Sequence, residues 1–345
     1  MDERRARKVS LRGWGGVAAM AVVCALTAVF ALLLPLTQRT AAKDDGAGVG
    51  SAGVADGTQV RATDCEAGVD GKEPERSLRP SGDESGDAVR EIKDRGYLSV
   101  GVDQNSYRWG YRDPNNQDKK SELEGFDIDL AHEIADEILG DPNAVRLKAI
   151  PTNERIPAIQ RGDVDMVVRT MTISCTRLDE VAFSTAYFQT GQQVLAPKTD
   201  QDIKGFGPSL ADKRICTATG STAFETLDTA KKSGKLPGSA DISTTVPNQL
   251  DCLVRLQLGE VDAVVTDGAL AASQAAQDPT VELRGDPFTE EYYGVAMKKD
   301  ADGLVRRVNK VLEDYREDGG WQKSYDFWLK PALGASDGPP APKYK

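Results

Sequence analysis

One ten-residue pattern occurs twice in this chain, and it narrows the possible folds more than any other feature. Ile159-Gln160-Arg161-Gly162-Asp163-Val164-Asp165-Met166-Val167-Val168 is echoed by Leu256-Gln257-Leu258-Gly259-Glu260-Val261-Asp262-Ala263-Val264-Val265. Each copy reads as the end of a helix, a glycine that stops it, an acidic turn and a buried strand. The glycine supplies the left-handed backbone that ends the helix. A single joint of this kind is common. Two copies agreeing at most positions predict two α/β lobes built from a similar unit. Each strand then carries polar residues at its carboxyl end, Arg169-Thr170 in one copy and Thr266-Asp267 in the other. Ligands of open α/β sheets bind beyond the carboxyl ends of the strands, so both pairs are expected to face one shared cleft.

The remaining pattern fits this frame. Leu98–Val102 reads as a buried strand, and Ile128, Ala131, Ile134, Ala135 and Ile138 mark one face of a helix that Gly140-Asp141-Pro142 ends. Val145–Ile150 and Met166–Val168 are strands, with a helix over Ile156–Gln160 between them. Such alternation implies an α/β fold with a mostly parallel sheet. The net charge of −11 argues against nucleic acid or anionic lipid surfaces as partners, because both need a basic footprint.

The N-terminus differs from the rest. Basic residues in 1–16 precede an apolar run from Val17 to Leu36, and 20 residues of helix span about 30 Å, the hydrocarbon thickness of a bilayer. This predicts a transmembrane anchor with the folded part extracytoplasmic. A leader cleaved near Thr40-Ala41-Ala42 is the alternative, and Cys24 reads as a membrane-buried thiol. Residues 37–86 read as a linker and 333–345 as an extended or disordered tail. Outside the cytoplasm Cys65, Cys175, Cys216 and Cys252 are expected to pair, in any of three connectivities. His132 is the only histidine and is expected at the surface. No metal site or cofactor is expected.

Three groups of segments resemble the polar amino-acid binding proteins of ABC importers, solute-binding protein family 3. They are Leu98–Asp103 with Gly125–Leu130; Arg155–Arg177 running on to Phe183, Ser184 and Tyr187; and Gly220-Ser221-Thr222 with Val261–Asp267. Ser77-Leu78-Arg79-Pro80, Thr170-Met171-Thr172-Ile173, Asp251-Cys252-Leu253-Val254 and Gln277-Asp278-Pro279 are similar to actinobacterial glutamate/aspartate-type receptors. The resemblance implies a two-lobed periplasmic-binding-protein fold of type II, the Venus-flytrap arrangement. Lobe 1 would be residues 87–195 with 293–332, and lobe 2 residues 196–292. The implied function is lobe closure on glutamate or aspartate, with glutamine as a further candidate, and delivery to an ABC permease by a monomer. A sensor signalling to a membrane partner and a dehydratase-like enzyme on the same fold are the alternatives. In lobes of the kind implied, helix and strand pack face to face, which pairs Cys216 with Cys252 and leaves Cys65 for Cys175.

The resemblance also assigns roles. Arg177, by itself equally a helix cap or a partner of Asp179, would grip the ligand α-carboxylate through its planar fork, with the hydroxyl and N–H of Thr172. Asp267 would take the ammonium, with the Thr170 carbonyl as second acceptor. Gly220, Ser221 and Thr222 precede a helix and would present N–H groups to an anion. Arg155 would meet a side-chain carboxylate, Arg169 would add positive charge, and Asp103 is a further cleft candidate. Tyr107, Trp109 and Tyr111 read either as a wall for ligand methylenes or as strand packing. Asp267-Gly268 departs from the Asp-Asp of the look-alikes, which puts affinity or selectivity in question.

Overall fold

The strands build two separate five-stranded sheets in the computed structural model, which describes residues 73–113 and 123–345. The strands are β1 (Leu98–Val102), β2 (Asn105–Ser106), β3 (Gly110–Tyr111), β4 (Val145–Ala149), β5 (Met166–Val167), β6 (Val181–Phe183), β7 (Phe188–Thr190), β8 (Gln192–Pro197), β9 (Arg214–Ala218), β10 (Asp241–Val246), β11 (Ala263–Asp267), β12 (Val281–Arg284), β13 (Glu291–Tyr293) and β14 (Ala296–Lys298). The helices are α1 (Asp87–Arg95), α2 (Phe126–Leu139), α3 (Arg155–Gln160), α4 (Cys175–Leu178), α5 (Thr222–Lys232), α6 (Gln249–Gln257), α7 (Gly268–Gln277), α8 (Asp302–Glu317), α9 (Gly320–Trp328) and α10 (Lys330–Leu333). The lobe 1 sheet runs β4-β1-β5-β14-β6 and the lobe 2 sheet β10-β9-β11-β8-β12. The short pairs β2/β3 and β7/β13 complete the set.

The echoed segments occupy equivalent places. β5 and β11 are each the middle strand of a sheet, parallel to one neighbour (β1, β9) and antiparallel to the other (β14, β8). Gly162 (φ 73°) and Gly259 (φ 69°) both take the left-handed conformation expected of them. Successive strand residues point to opposite faces. Met166 and Val168 therefore enter one lobe 1 core cluster and Val167 another, while Ala263 and Val265 divide from Val264 in lobe 2 in the same way. Each sheet is thus covered on both faces.

The chain crosses between lobes at β7 and β13, which pair antiparallel with Thr190 opposite Glu291 and Phe188 opposite Tyr293. The first crossing falls a few residues before the expected boundary at 195, since β8 already belongs to the lobe 2 sheet. Gly268 explains itself here. Its N–H donates to the Gly191 carbonyl at 2.7 Å. A Cβ on Gly268 would lie 3.2 Å from that oxygen and 2.8 Å from Gln193 Oε1. Position 268 therefore faces the crossing, where a Cβ would have to displace the end of the Gln193 side chain.

Two expectations are corrected. The segment 333–345 is extended but not disordered: Tyr344 bridges to Ser77, and Lys343 Nζ lies 2.8 Å from Glu73 Oε1 and 2.6 Å from Glu75 Oε1. Beyond Leu333, the last residue of α10, its Pro and Gly content disfavours further helix yet leaves it free to pair in extended form. The last part of the expected linker, 73–86, is likewise bound to the body, with Ser77 Oγ donating to the Phe183 carbonyl at 2.7 Å and accepting from Asn309 Nδ2 at 2.9 Å.

Cys216 on β9 and Cys252 on α6 form a buried disulfide with Cα atoms 5.6 Å apart. Closing a loop of 36 residues is worth about 2–4 kcal/mol in typical cases. Cys175 is also disulfide-bonded; Cys65 lies outside the described residues. So do Cys24, the basic segment 1–16, the apolar run 17–36 and most of the linker. Among the described residues no helix is long and apolar enough to cross a membrane.

Candidate functional site

The ends of β5 and β11 meet the crossing strands, and most of the expected residues gather there. Arg177 is held on the short helix α4, whose N-cap Ser174 accepts from the Arg177 N–H at 3.4 Å. Its guanidinium donates to the Thr172 carbonyl in lobe 1 (2.7 Å) and to the Gly220 carbonyl in lobe 2 (3.2 Å). Arg155, 3 % exposed, donates to the carbonyls of Thr152 (2.9 Å), Arg169 (3.3 Å) and Thr170 (3.4 Å). Among the described residues neither guanidinium has a carboxylate partner. Burial, with the positive charges of Arg177 and Arg169 nearby, pushes the Arg155 pKa well below its ordinary range. Both guanidiniums are thus buried and hydrogen-bonded to carbonyls, with the Asp267 carboxylate acting on each of them through space.

Thr170 has φ 40°, a strained value for a β-branched residue. Its N–H donates to Asp127 Oδ2 at 2.9 Å, which holds that conformation, while its Oγ1 is buried without a partner. Asp127 also accepts from Tyr187 Oη at 2.9 Å, and burial raises its pKa to about 7.

Asp267 closes β11 and is buried, accepting from the Tyr293 hydroxyl. Burial first, and the charge of Glu291 second, raise its pKa to about 7. In lobe 2, Ser221 caps α5 by accepting from the Phe224 N–H at 3.3 Å. Thr222 opens that helix and donates to Glu291 Oε2 at 3.0 Å.

Two expected charges are engaged with each other. Arg169, fully buried, pairs with Asp103 at 3.0 Å and also donates to Thr152 Oγ1 and Asn248 Oδ1, each at 3.0 Å. Asp103 further accepts from the N–H groups of Gln104 and Asn105 and from Ser106 Oγ. The two charges answer each other, so neither side chain brings an uncompensated charge to a ligand, although Arg169 Nε is buried without a partner among the described residues. Trp109 belongs to the core, edge-on to Phe126, Phe188 and Tyr293, with Nε1 donating to Ser273 Oγ at 3.2 Å. Tyr107 packs edge-on to Tyr111, and Tyr111 to Trp328. These contacts match the strand-packing reading. His132 Nδ1 lies 2.6 Å from the Pro142 carbonyl, away from this cluster.

Sequence reasoning missed Glu291. It is 5 % exposed, accepts from Thr172 in lobe 1 and Thr222 in lobe 2, and receives Gln192 and Thr289 on its other oxygen. No sequence signal distinguishes it from the neighbouring Glu290, since its role follows from where β13 crosses. The lobes also meet directly: Thr152 N–H donates to the Pro247 carbonyl at 3.0 Å.

The raised Asp267 pKa has a signed consequence. An unfolded carboxyl titrates near 3.8, so the fold binds an extra proton between about 4 and 7, and this group's contribution to stability falls as pH rises through that window. A ligand ammonium at Asp267, the contact that the resemblance implies, would prefer the ionised form. Its affinity should therefore be full above about pH 7 and fall about tenfold per unit below it. Calorimetry from pH 5 to 9 checks this. Asp267→Asn should flatten the slope, and an unchanged slope would move the titration to Asp127.

Comparison with known proteins agrees with this architecture. Residues 98–331 match the family model of bacterial extracellular solute-binding proteins, family 3. The glutamine-binding protein of a Bacillus subtilis ABC transporter is 33 % identical over 71 % of this chain and 85 % of its own length. The glutamate-binding protein of Corynebacterium efficiens is 30 % identical over 72 % of this chain and 84 % of its own. A solved ancestral arginine-binding protein bound to glutamine is 33 % identical, with a TM-score of 0.61 over 70 % of this chain and 99 % of that one. The paired lobes, the doubled strand–turn unit and these matches together make the chain a member of the bacterial extracellular solute-binding proteins, family 3.

Proposed function

We propose that this protein captures an acidic amino acid, glutamate or aspartate, between its lobes and delivers it to an ABC permease. The observation that carries the proposal is the pair of buried guanidiniums, Arg177 and Arg155, without a carboxylate partner among the described residues. A bound amino acid brings an α-carboxylate for Arg177 and an ammonium for Asp267. An acidic side chain brings a second carboxylate for Arg155. Thr170 supplies a backbone carbonyl beside the ammonium, and Gly220, Ser221 and Thr222 supply the start of α5. Glutamine is the competing ligand, because relatives named for glutamine binding are 33 % and 34 % identical to this chain and those named for glutamate binding 30 % and 29 %.

Calorimetric titration of the full chain with L-glutamate, L-aspartate and L-glutamine tests this. One site per chain is expected, with an acid binding more tightly than the amide. Tighter binding of glutamine would overturn the acidic assignment, and no binding of any amino acid would overturn the whole reading. The tether over residues 17–36 belongs to the same proposal. Mass spectrometry of the native protein should find an intact N-terminus, and a start near residue 43 would contradict it.

A further inference from the structure

Glu291 stands at the junction of both lobes and both crossing strands, among residues to which the preceding reading gives ligand contacts. One carboxylate oxygen, Oε2, receives the hydroxyls of Thr172 and Thr222. The other, Oε1, receives Gln192 Nε2 and Thr289 Oγ1. Tyr293, two residues along β13 and so on the same strand face, donates its hydroxyl to Asp267. Glu291, Tyr293 and Asp267 are therefore neighbours, and the Glu291 charge contributes to raising the Asp267 pKa.

A carboxylate only accepts, and a threonine hydroxyl carries a single hydrogen. Once that hydrogen is directed at Glu291, the oxygens of Thr172 and Thr222 retain only lone pairs for any other group. Gln192 is fully buried, and with its amide hydrogen directed at Glu291 its Oε1 has no partner. Three oxygens around Glu291 are thus left as acceptors. A ligand carboxylate has no hydrogen to give them, whereas an ammonium has three. The assignment of the Thr172 hydroxyl to an α-carboxylate, implied by resemblance, runs against this polarity.

We propose that Glu291 is a specificity-determining residue: by fixing the hydroxyls of Thr172 and Thr222 as acceptors, it makes this part of the cleft read the ligand's α-ammonium together with Asp267. The inference rests on the amino-acid-binding reading above and adds the means by which an amino acid is told from its deaminated analogue. Arg177 remains the group for the α-carboxylate. Glu291 acts on the ammonium through its charge and through the two hydroxyls that it orients.

The test is calorimetry on the full chain, wild type and Glu291→Gln, with L-glutamate, L-glutamine and 2-hydroxyglutarate, the last by competition where it is weak. Gln keeps the shape and loses the charge. Glu291→Gln should weaken both amino acids by roughly 10- to 100-fold, the range of one charge-assisted hydrogen bond, and leave 2-hydroxyglutarate within about twofold on the same scale. Thr222→Val carries the test if Glu291→Gln lowers the melting temperature sharply, and it should show the same amino-selective loss at smaller size. Equal losses for all three ligands would overturn the proposal, because Glu291 would then only hold the crossing strands together. Undiminished amino-acid affinity would overturn it too. If the wild type binds neither amino acid, the binding reading falls and this inference falls with it.

Discussion

Arg177→Ala is expected to abolish measurable binding of every amino acid. The guanidinium lies between lobes, on the Thr172 carbonyl from one and the Gly220 carbonyl from the other. A ligand α-carboxylate would offer it two charged acceptors in a planar fork. Truncating one partner of a buried charge pair typically costs about 2–5 kcal/mol, or roughly 30- to 5,000-fold in affinity. The cleft has a further reason to fail without Arg177, since the cross-lobe bond to Gly220 is lost as well. Calorimetry with L-glutamate and L-glutamine checks this, and the loss should be equal for both because both carry the α-carboxylate. Retained affinity for either would remove Arg177 from the site.

The second large effect separates the side-chain acid from the amide. Arg155→Gln should penalise glutamate far more than glutamine, shifting their affinity ratio by roughly 30-fold or more, as expected for removing one side of a buried ion pair. The ratio is the informative quantity. Arg155 also supports the carbonyls of Thr152, Arg169 and Thr170, so part of any loss is common to all ligands. Gln retains amide donors for those carbonyls and removes only the charge. Equal losses for glutamate and glutamine would mean that Arg155 organises backbone and does not read the side chain.

The mechanism that the proposed function implies is assembly by closure. Arg177 and Arg155 belong to lobe 1, while Asp267 and the start of α5 belong to lobe 2. Only with the lobes together does a ligand meet all of these groups. It therefore stabilises the closed arrangement by its differential contacts, which is the condition for a population shift. The lobes also share direct bonds, from Thr152 to Pro247 and from Arg169 to Asn248.

The two-lobed plan was readable because it rests on short-range rules. A glycine stop followed by an apolar strand is a local pattern, and its repetition at 159–168 and 256–265 carried through to two middle strands with matching neighbours. The pairing of Cys216 with Cys252 followed from the helix–strand packing of such a lobe. What escaped depends on contacts between distant segments. Arg169 was read as adding charge to the cleft, but β1 and β5 lie side by side, and that adjacency brings Asp103 onto it. Glu291 acquired its four donors from both lobes and both crossing segments. No periodicity in Thr289–Tyr293 encodes that meeting. For the tail, Pro and Gly signal only the absence of helix and do not tell extended from disordered, while the Lys343 pairing with Glu73 and Glu75 joins opposite ends of the described chain.

The most direct test of the central claim is a crystal structure of the protein grown with L-glutamate. The account predicts one amino acid between the lobes, with its α-carboxylate on the Arg177 guanidinium, its ammonium at Asp267 and its side-chain carboxylate on Arg155. An empty cleft at saturating glutamate, with Arg177 still on the carbonyls of Thr172 and Gly220, would contradict it.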